Sequence, residues 1–286
     1  MPRIPDKHLE CVIYLYPSVD DAQRGESVGG TGFLVAVHFS DGRERPFFLH
    51  AVTNSHVIRE GHSPVVRINT ADRKTDVLNL PANAWFHHPD GDDIAVAPIA
   101  LTHGYHKYTA ISQTLLLTRE SVEGLQIGPG DEVFFLGRFI SHEGRQRNLP
   151  TARFGEIAMM PSEPIRHPTR GINQESYLVE ARSLSGYSGS PVFVHIPPLT
   201  PRPQGSAHLG AGPFLLGIDW CHLPDYQPVL ERDQKTPVAE RWYVQQNSGM
   251  IGVVPSWKIA EVFDLNELAE LRWAQEERWQ SEQDRG

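Results

Sequence analysis

The chain has 286 residues and a net charge of −9, from 26 Lys and Arg against 35 Asp and Glu. That length buries a core unaided, and the acidic balance argues against a protein that grips phosphate backbones. The 24 glycines and 23 prolines exceed average usage and point to many turns, not a long helical bundle. Only Cys11 and Cys221 are present, so no disulfide framework holds the fold, and a reducing compartment is expected. The polar start and the short first apolar run, Cys11 to Tyr16, do not read as a signal peptide. No stretch nears 18 apolar residues, so neither a membrane span nor a membrane partner is expected. The expectation is a soluble, cytoplasmic protein.

In chain order, short runs rich in Val, Ile, Phe and Tyr read as strands. They are Val12–Tyr16, Gly32–Phe39, Pro46–Val52, Val65–Asn69, Ile94–Ile99 and Glu132–Leu136. Tyr177–Ala181, Val192–His195, Phe214–Ile218, Trp242–Gln246 and Met250–Val254 follow. Asp41-Gly42 marks a hairpin. No helical pattern separates consecutive strands, which disfavours βαβ units. The spacer Leu116–Gly130 divides the strands into two groups, so two β-barrels in series are expected within one domain, 1–286. Their limits fall at about 10–115 and about 131–255. Helix is predicted over 256–283: Ser256 caps a first piece through Phe263, and Asp264 to Glu267 resembles a capping box. Leu265, Leu268, Leu271 and Arg272 then form one face of an amphipathic helix. Pro197–Pro213 and His222–Arg241 read as long proline-containing loops.

Three signatures carry chemistry. His56 follows the run Ala51-Val52-Thr53-Asn54-Ser55. Asp92-Asp93 opens the strand Ile94-Ala95-Val96. Ser188 sits in Gly186-Tyr187-Ser188-Gly189-Ser190-Pro191. A serine hydroxyl is a poor nucleophile until a base takes its proton. Imidazole suits that task near neutral pH. A carboxylate fixes its tautomer and stabilises the imidazolium. Glycines around the serine let backbone N–H groups converge on an oxyanion.

With Gly30-Thr31-Gly32-Phe33 and Gly249-Met250-Ile251-Gly252-Val253-Val254-Pro255, these motifs resemble chymotrypsin-fold serine proteases. The nearest branch is the bacterial trypsin-like one, similar to the Deg-type protease domain without a PDZ module. The resemblance runs from about Cys11 to Phe263, in the order His, Asp, Ser, with separations of 37 and 95 residues. It implies an all-β fold of two six-stranded antiparallel barrels packed side by side, with a C-terminal α-helix. It implies a serine endopeptidase with Ser188 as nucleophile, His56 as base and Asp93 as orienting acid. The backbone N–H groups of Gly186 and Ser188 would form the oxyanion hole. Arg182, six residues before the serine, is the candidate under the substrate pocket. Tyr187 replaces the aspartate that in animal relatives pairs with a freshly cut N-terminus, which argues against activation by that cleavage.

No metal or organic cofactor is expected, and the substrate would be a protein or peptide. A regulatory partner could dock on loops 197–213 and 222–241. The alternatives are a catalytically silent peptide-binding module on the same fold and an esterase-like hydrolase. Other motifs read as bland. Gly25-Glu26-Ser27-Val28-Gly29 precedes a glycine-rich strand, not a helix, so it is no nucleophile elbow. Gly29-Gly30-Thr31-Gly32 lacks the lysine of a P-loop. His87-His88-Pro89-Asp90-Gly91-Asp92 reads as a solvated loop, and Cys221-His222 has no surrounding motif.

Overall fold

The computed structural model describes residues 3–39, 47–139, 144–167, 171–181, 187–198, 202, 211–230 and 242–283. Three short helices, α1 (Asp6–Leu9), α2 (Val19–Arg24) and α3 (Ser55–Arg59), punctuate the N-terminal half. Its strands are β1 (Val12–Tyr16), β2 (Gly30–His38), β3 (Phe47–Thr53), β4 (Val65–Asn69), β5 (Thr75–Leu78), β6 (Phe86–His87), β7 (Ala95–Ile99) and β8 (Ile111–Ser112). Helix α4 (Arg119–Gly124), with a capping box between Thr118 and Ser121, fills the spacer. The C-terminal half contains β9 (Glu132–Gly137), β10 (Thr151–Met159), β11 (Ile165–Arg166), β12 (Asn173–Gln174) and β13 (Tyr177–Ala181). It continues with β14 (Pro191–Ile196), β15 (Ala211–Pro228), β16 (Tyr243–Pro255), α5 (Ser256–Phe263) and α6 (Asn266–Gln283).

The C-terminal strands close into a six-stranded barrel, β10-β13-β16-β15-β14-β9. The N-terminal strands form a curled eight-stranded sheet, β5-β4-β1-β2-β3-β7-β6, with β8 parallel to β2. This is a chymotrypsin-like double-barrel arrangement, whose first unit has seven strands along an open path and β8 beside it, where six in a barrel were expected.

Period-two alternation explains the near-continuous apolar runs. In β1, Ile13 and Leu15 enter the interior of the first unit, while Val12, Tyr14 and Tyr16 enter a cluster shared by both units. β9 does the same from the other side: Val133 and Phe135 fill the closed barrel, and Phe134 and Leu136 face the seam. Phe134 stacks on Phe193 of β14 across 5.0 Å. Strands buried on both faces need no polar side, so alternation is absent from the sequence.

The structure corrects several expectations. β10 was not anticipated because its residues are mostly half-buried or exposed, Phe154 among the exposed ones. Gly155 is required there, since a Cβ would lie 2.3 Å from the Glu180 carbonyl oxygen. His222–Arg241 is not a loop over its first part. His222 to Pro228 extends β15 and pairs with Tyr243 to Ile251 of β16. A strand can hold proline where its nitrogen faces away from its partner, and Pro224 and Pro228 lie four apart, on one side. Tyr243–Gln246 and Met250–Val254, expected as parts of two strands, belong to one. The C-terminal helical region falls into two pieces at Asp264, where the sequence placed a first piece ending at Phe263, but Ser256 donates to the Leu117 carbonyl (2.8 Å) and is not a cap. On α6, Leu268 is buried but Leu271 is exposed. Trp279 packs edge-on against Phe39. Residues 40–46, 199–201, 203–210 and 231–241, with the Asp41-Gly42 turn and much of both expected loops, lie outside the described residues.

Candidate active site

β3 ends at Thr53, and Asn54, in extended conformation, begins α3. Val57 and Ile58 anchor that turn of helix in the first unit's interior, leaving the His56 side chain 12% exposed. Asp93 sits just before β7, and its carboxylate meets His56 twice. His56 Nδ1 lies 2.6 Å from Asp93 Oδ2, and the His56 backbone N–H donates to Oδ1 at 2.8 Å. A carboxylate there accepts a hydrogen bond from the Nδ1–H, which fixes the tautomer with the lone pair on Nε2.

The backbone around Asp93 is held from two sides. Asn54 Nδ2 donates to the Asp93 carbonyl (2.8 Å), and the Asp93 N–H donates to Gln174 Oε1 (2.9 Å). Gln174, fully buried on β12, also donates through Nε2 to Asp92 Oδ1 (2.6 Å). Ser55 Oγ bonds His87 Nδ1 at 2.8 Å. Burial, with the nearby charge of Arg59, depresses the His87 imidazole to about 4, against the pull of Asp93. The polar pair Asn54-Ser55 thus ties the histidine's helix to the acid's segment.

Ser188 lies in a turn closed by the Ser190 N–H donating to the Tyr187 carbonyl (2.8 Å). The Thr31 N–H donates to the Ser188 carbonyl (2.9 Å), and Thr53 Oγ1 donates to the Thr31 carbonyl (2.7 Å). A Cβ at Gly30 would lie 2.8 Å from Val57 and 3.4 Å from the Ser188 carbonyl oxygen. The start of β2 is therefore pressed between the helix bearing His56 and the turn bearing Ser188. Gly189 has φ +90°, and a Cβ there would lie 1.8 Å from the Thr31 carbonyl oxygen, so only glycine fits. Tyr187 is buried in the closed barrel, edge-on to Phe135. Gly186 and Arg182 lie outside the described residues.

Sequence reasoning missed two residues. Gln174, in a short polar segment, gave no signal. Asp219 did, as an acid inside an apolar strand. The Gly189 N–H donates to its carbonyl (2.9 Å), and its own N–H donates to the Ser190 carbonyl (3.0 Å). Burial pushes the Asp219 carboxyl up to about 8, only partly offset by a hydrogen bond from the Cys221 backbone.

Behind the acid, His88, Asp92 and Glu261 bring three potential metal ligands together. Lys258 Nζ lies 3.1 Å from Asp92 Oδ2 and 3.2 Å from Glu261 Oε2. Its ammonium supplies the positive charge those carboxylates need, so this donor set fits a salt-bridge network better than a metal ion. Cys11 and Cys221 are buried thiols, and burial drives Cys11 up to about 12. Such a thiol is no nucleophile.

No protein-family profile matches the chain, and no curated protein is similar to it. Among solved structures, the chain is similar to the protease domain of MamO from Magnetospirillum magneticum in its apo form. The identity is 15%, the coverage 89% of this chain and 96% of that one, and the TM-score 0.47. It is also similar to the inactive form of Rv3671c from M. tuberculosis H37Rv. A serine-to-alanine mutant gives 16% identity, 88% and 84% coverage and a TM-score of 0.44. A second structure of that inactive form gives 17%, 89% and 88%, and 0.44. Likenesses this distant bear on neither activity nor substrate.

Proposed function

We propose that the chain is a serine endopeptidase that cleaves peptide bonds through an acyl-enzyme. The observation that carries this reading is the double hydrogen bond from His56 to Asp93, built beside the turn that presents Ser188. In this mechanism Ser188 Oγ attacks the scissile carbonyl carbon and its proton passes to His56 Nε2. Asp93 holds the Nδ1–H and stabilises the imidazolium without taking the proton. His56 then protonates the leaving amine. Water, deprotonated by the same Nε2, attacks the ester, and collapse returns the proton to Ser188. The backbone N–H groups of Gly186 and Ser188 are assigned to the developing oxyanion, and Arg182 to the substrate pocket.

A fluorophosphonate probe tests the reading. It should label Ser188 in the wild type and nothing in Ser188→Ala, and Ser188→Ala or His56→Ala should lose peptidase activity by about 10⁶ in kcat. Absence of labelling in a folded protein would return the chain to the peptide-binding alternative. Labelling with ester but no peptide turnover would make it an esterase.

A further inference from the structure

A groove of about 1670 Å³ lies at the end of the N-terminal unit remote from His56. It runs between the start of β3, the ends of β2 and β7, the segment 100–110 and helix α6. Its lining reaches along β3 as far as His50, which leaves Ala51 to Thr53, about 10 Å of strand, between it and the helix bearing His56. Its volume exceeds the ~300–1,000 Å³ of a small-molecule pocket, and so fits a length of polypeptide.

The lining opposes the charge of the chain. Against a net −9, the groove presents Arg73 and Arg147 on its exposed rim and Arg272 on α6; His38, His50 and His103 add ring nitrogens, and burial with the charge of Arg272 pushes the His50 imidazole down to about 3, so it carries no charge. Its two acids are already engaged: Glu10 with Lys107 (3.0 Å) and Asp6 with Arg3 (3.2 Å). Three buried atoms in these residues have no hydrogen-bond partner among the described residues: His38 Nδ1, His50 Nδ1 and Arg272 Nη1. His50 is 1% exposed and packs on Phe263, whose carbonyl accepts from Arg272 Nη2 at 2.7 Å. Asp264 and Glu276 act on Arg272 through their charge, and Nη1 still lacks an acceptor. Exposed Leu271 adds an apolar step to the same groove.

We propose that this groove binds an acidic, partly apolar peptide segment of a partner protein. Its carboxylates meet Arg73 and Arg147 at the rim, in the field of Arg272 on α6, and an apolar side chain lies on Leu271. A long nucleic acid fits less well, because the remaining surface of an acidic protein repels it. The site does not depend on the hydrolytic reading.

The test is fluorescence anisotropy on the full chain with a fluorescein-labelled peptide of alternating glutamate and leucine, and an alternating lysine–leucine peptide as control. The glutamate peptide should bind and the lysine peptide should not, and added salt should weaken the binding. Arg73→Glu with Arg147→Glu, both on exposed positions, should weaken it about tenfold or more. Arg24→Glu with Arg166→Glu, away from the groove, should leave it within about twofold. No binding, equal binding of the lysine peptide, or the same loss in both double variants overturns the proposal. Tighter binding of single-stranded DNA than of the peptide overturns it in favour of a nucleic acid.

Discussion

Asp92 and Asp93 are neighbours with separate duties. Asp93 faces His56 with both oxygens, while Asp92 faces Gln174 and Lys258. Asp93→Asn should therefore cost about 10⁴ in kcat, because the imidazole is held in the wrong tautomer. Asp92→Asn should cost far less. Steady-state kinetics of the two variants check this, and the reverse order would move the acid to Asp92. Asp219 carries a different consequence. Its carboxyl titrates near 3.8 when exposed and near 8 in the fold. Between those values the folded chain holds one more proton than the unfolded chain. The contribution present in acid is lost as pH rises, at up to ~1.4 kcal/mol per pH unit, and is gone above about pH 8. Urea midpoints from pH 5 to 9 should fall more steeply for the wild type than for Asp219→Asn. Parallel curves would mean that Asp219 is ionised in the fold.

At the scale of elements, the β11–β12 hairpin spans the two halves of the site. Gln174 holds the Asp93 backbone, and His167 lies against Trp220, the neighbour of Asp219, with ring centres 5.3 Å apart. Gln174→Met removes the acceptor for the Asp93 N–H and the donor to Asp92 while keeping the volume. It should lower kcat about 10- to 100-fold through misplacement of the acid and leave KM nearly unchanged. A rise in KM alone would place Gln174 in substrate binding and not in positioning. Helix α5 reinforces the same corner, since Lys258 reaches Asp92 and Glu261 reaches His88 (2.8 Å). The acid's loop is thus fastened to helix α5 as well as to the β11–β12 hairpin.

For the whole molecule, the decisive feature is the seam. Phe33, Val35 and Val52 from the first unit meet Phe134, Phe193 and Leu215 from the second in one buried cluster. His56 and Asp93 belong to one side of it and Ser188 to the other, so the site exists only while the seam is packed. Phe134→Ala or Phe193→Ala should cost about 3–5 kcal/mol, measured as a loss of urea midpoint. Activity should fall with the folded fraction. A stable variant with intact activity would show that the seam is not what assembles the site.

The strands were legible in the sequence where β-branched and aromatic residues concentrate, as in Val12–Tyr16, Val65–Asn69 and Tyr177–Ala181, whose limits match the structure. Val12–Tyr16 is buried on both faces, whereas Tyr177–Ala181 buries one face and leaves Glu180 exposed on the other. The pairing of His56 with Asp93 was legible because strand context is local. β10 and the outer part of β15 were not, because their pairing partners, and not their own hydrophobicity, make them strands. Only the tertiary structure decided that Gln174, 81 residues away, supports Asp93. The same holds for Lys258, which fills the cluster of His88, Asp92 and Glu261. Long-range hydrogen bonds between polar residues leave no periodicity in a sequence. A lone glutamine or lysine reads the same in solvent as in a site, and its role is fixed by what the fold brings against it.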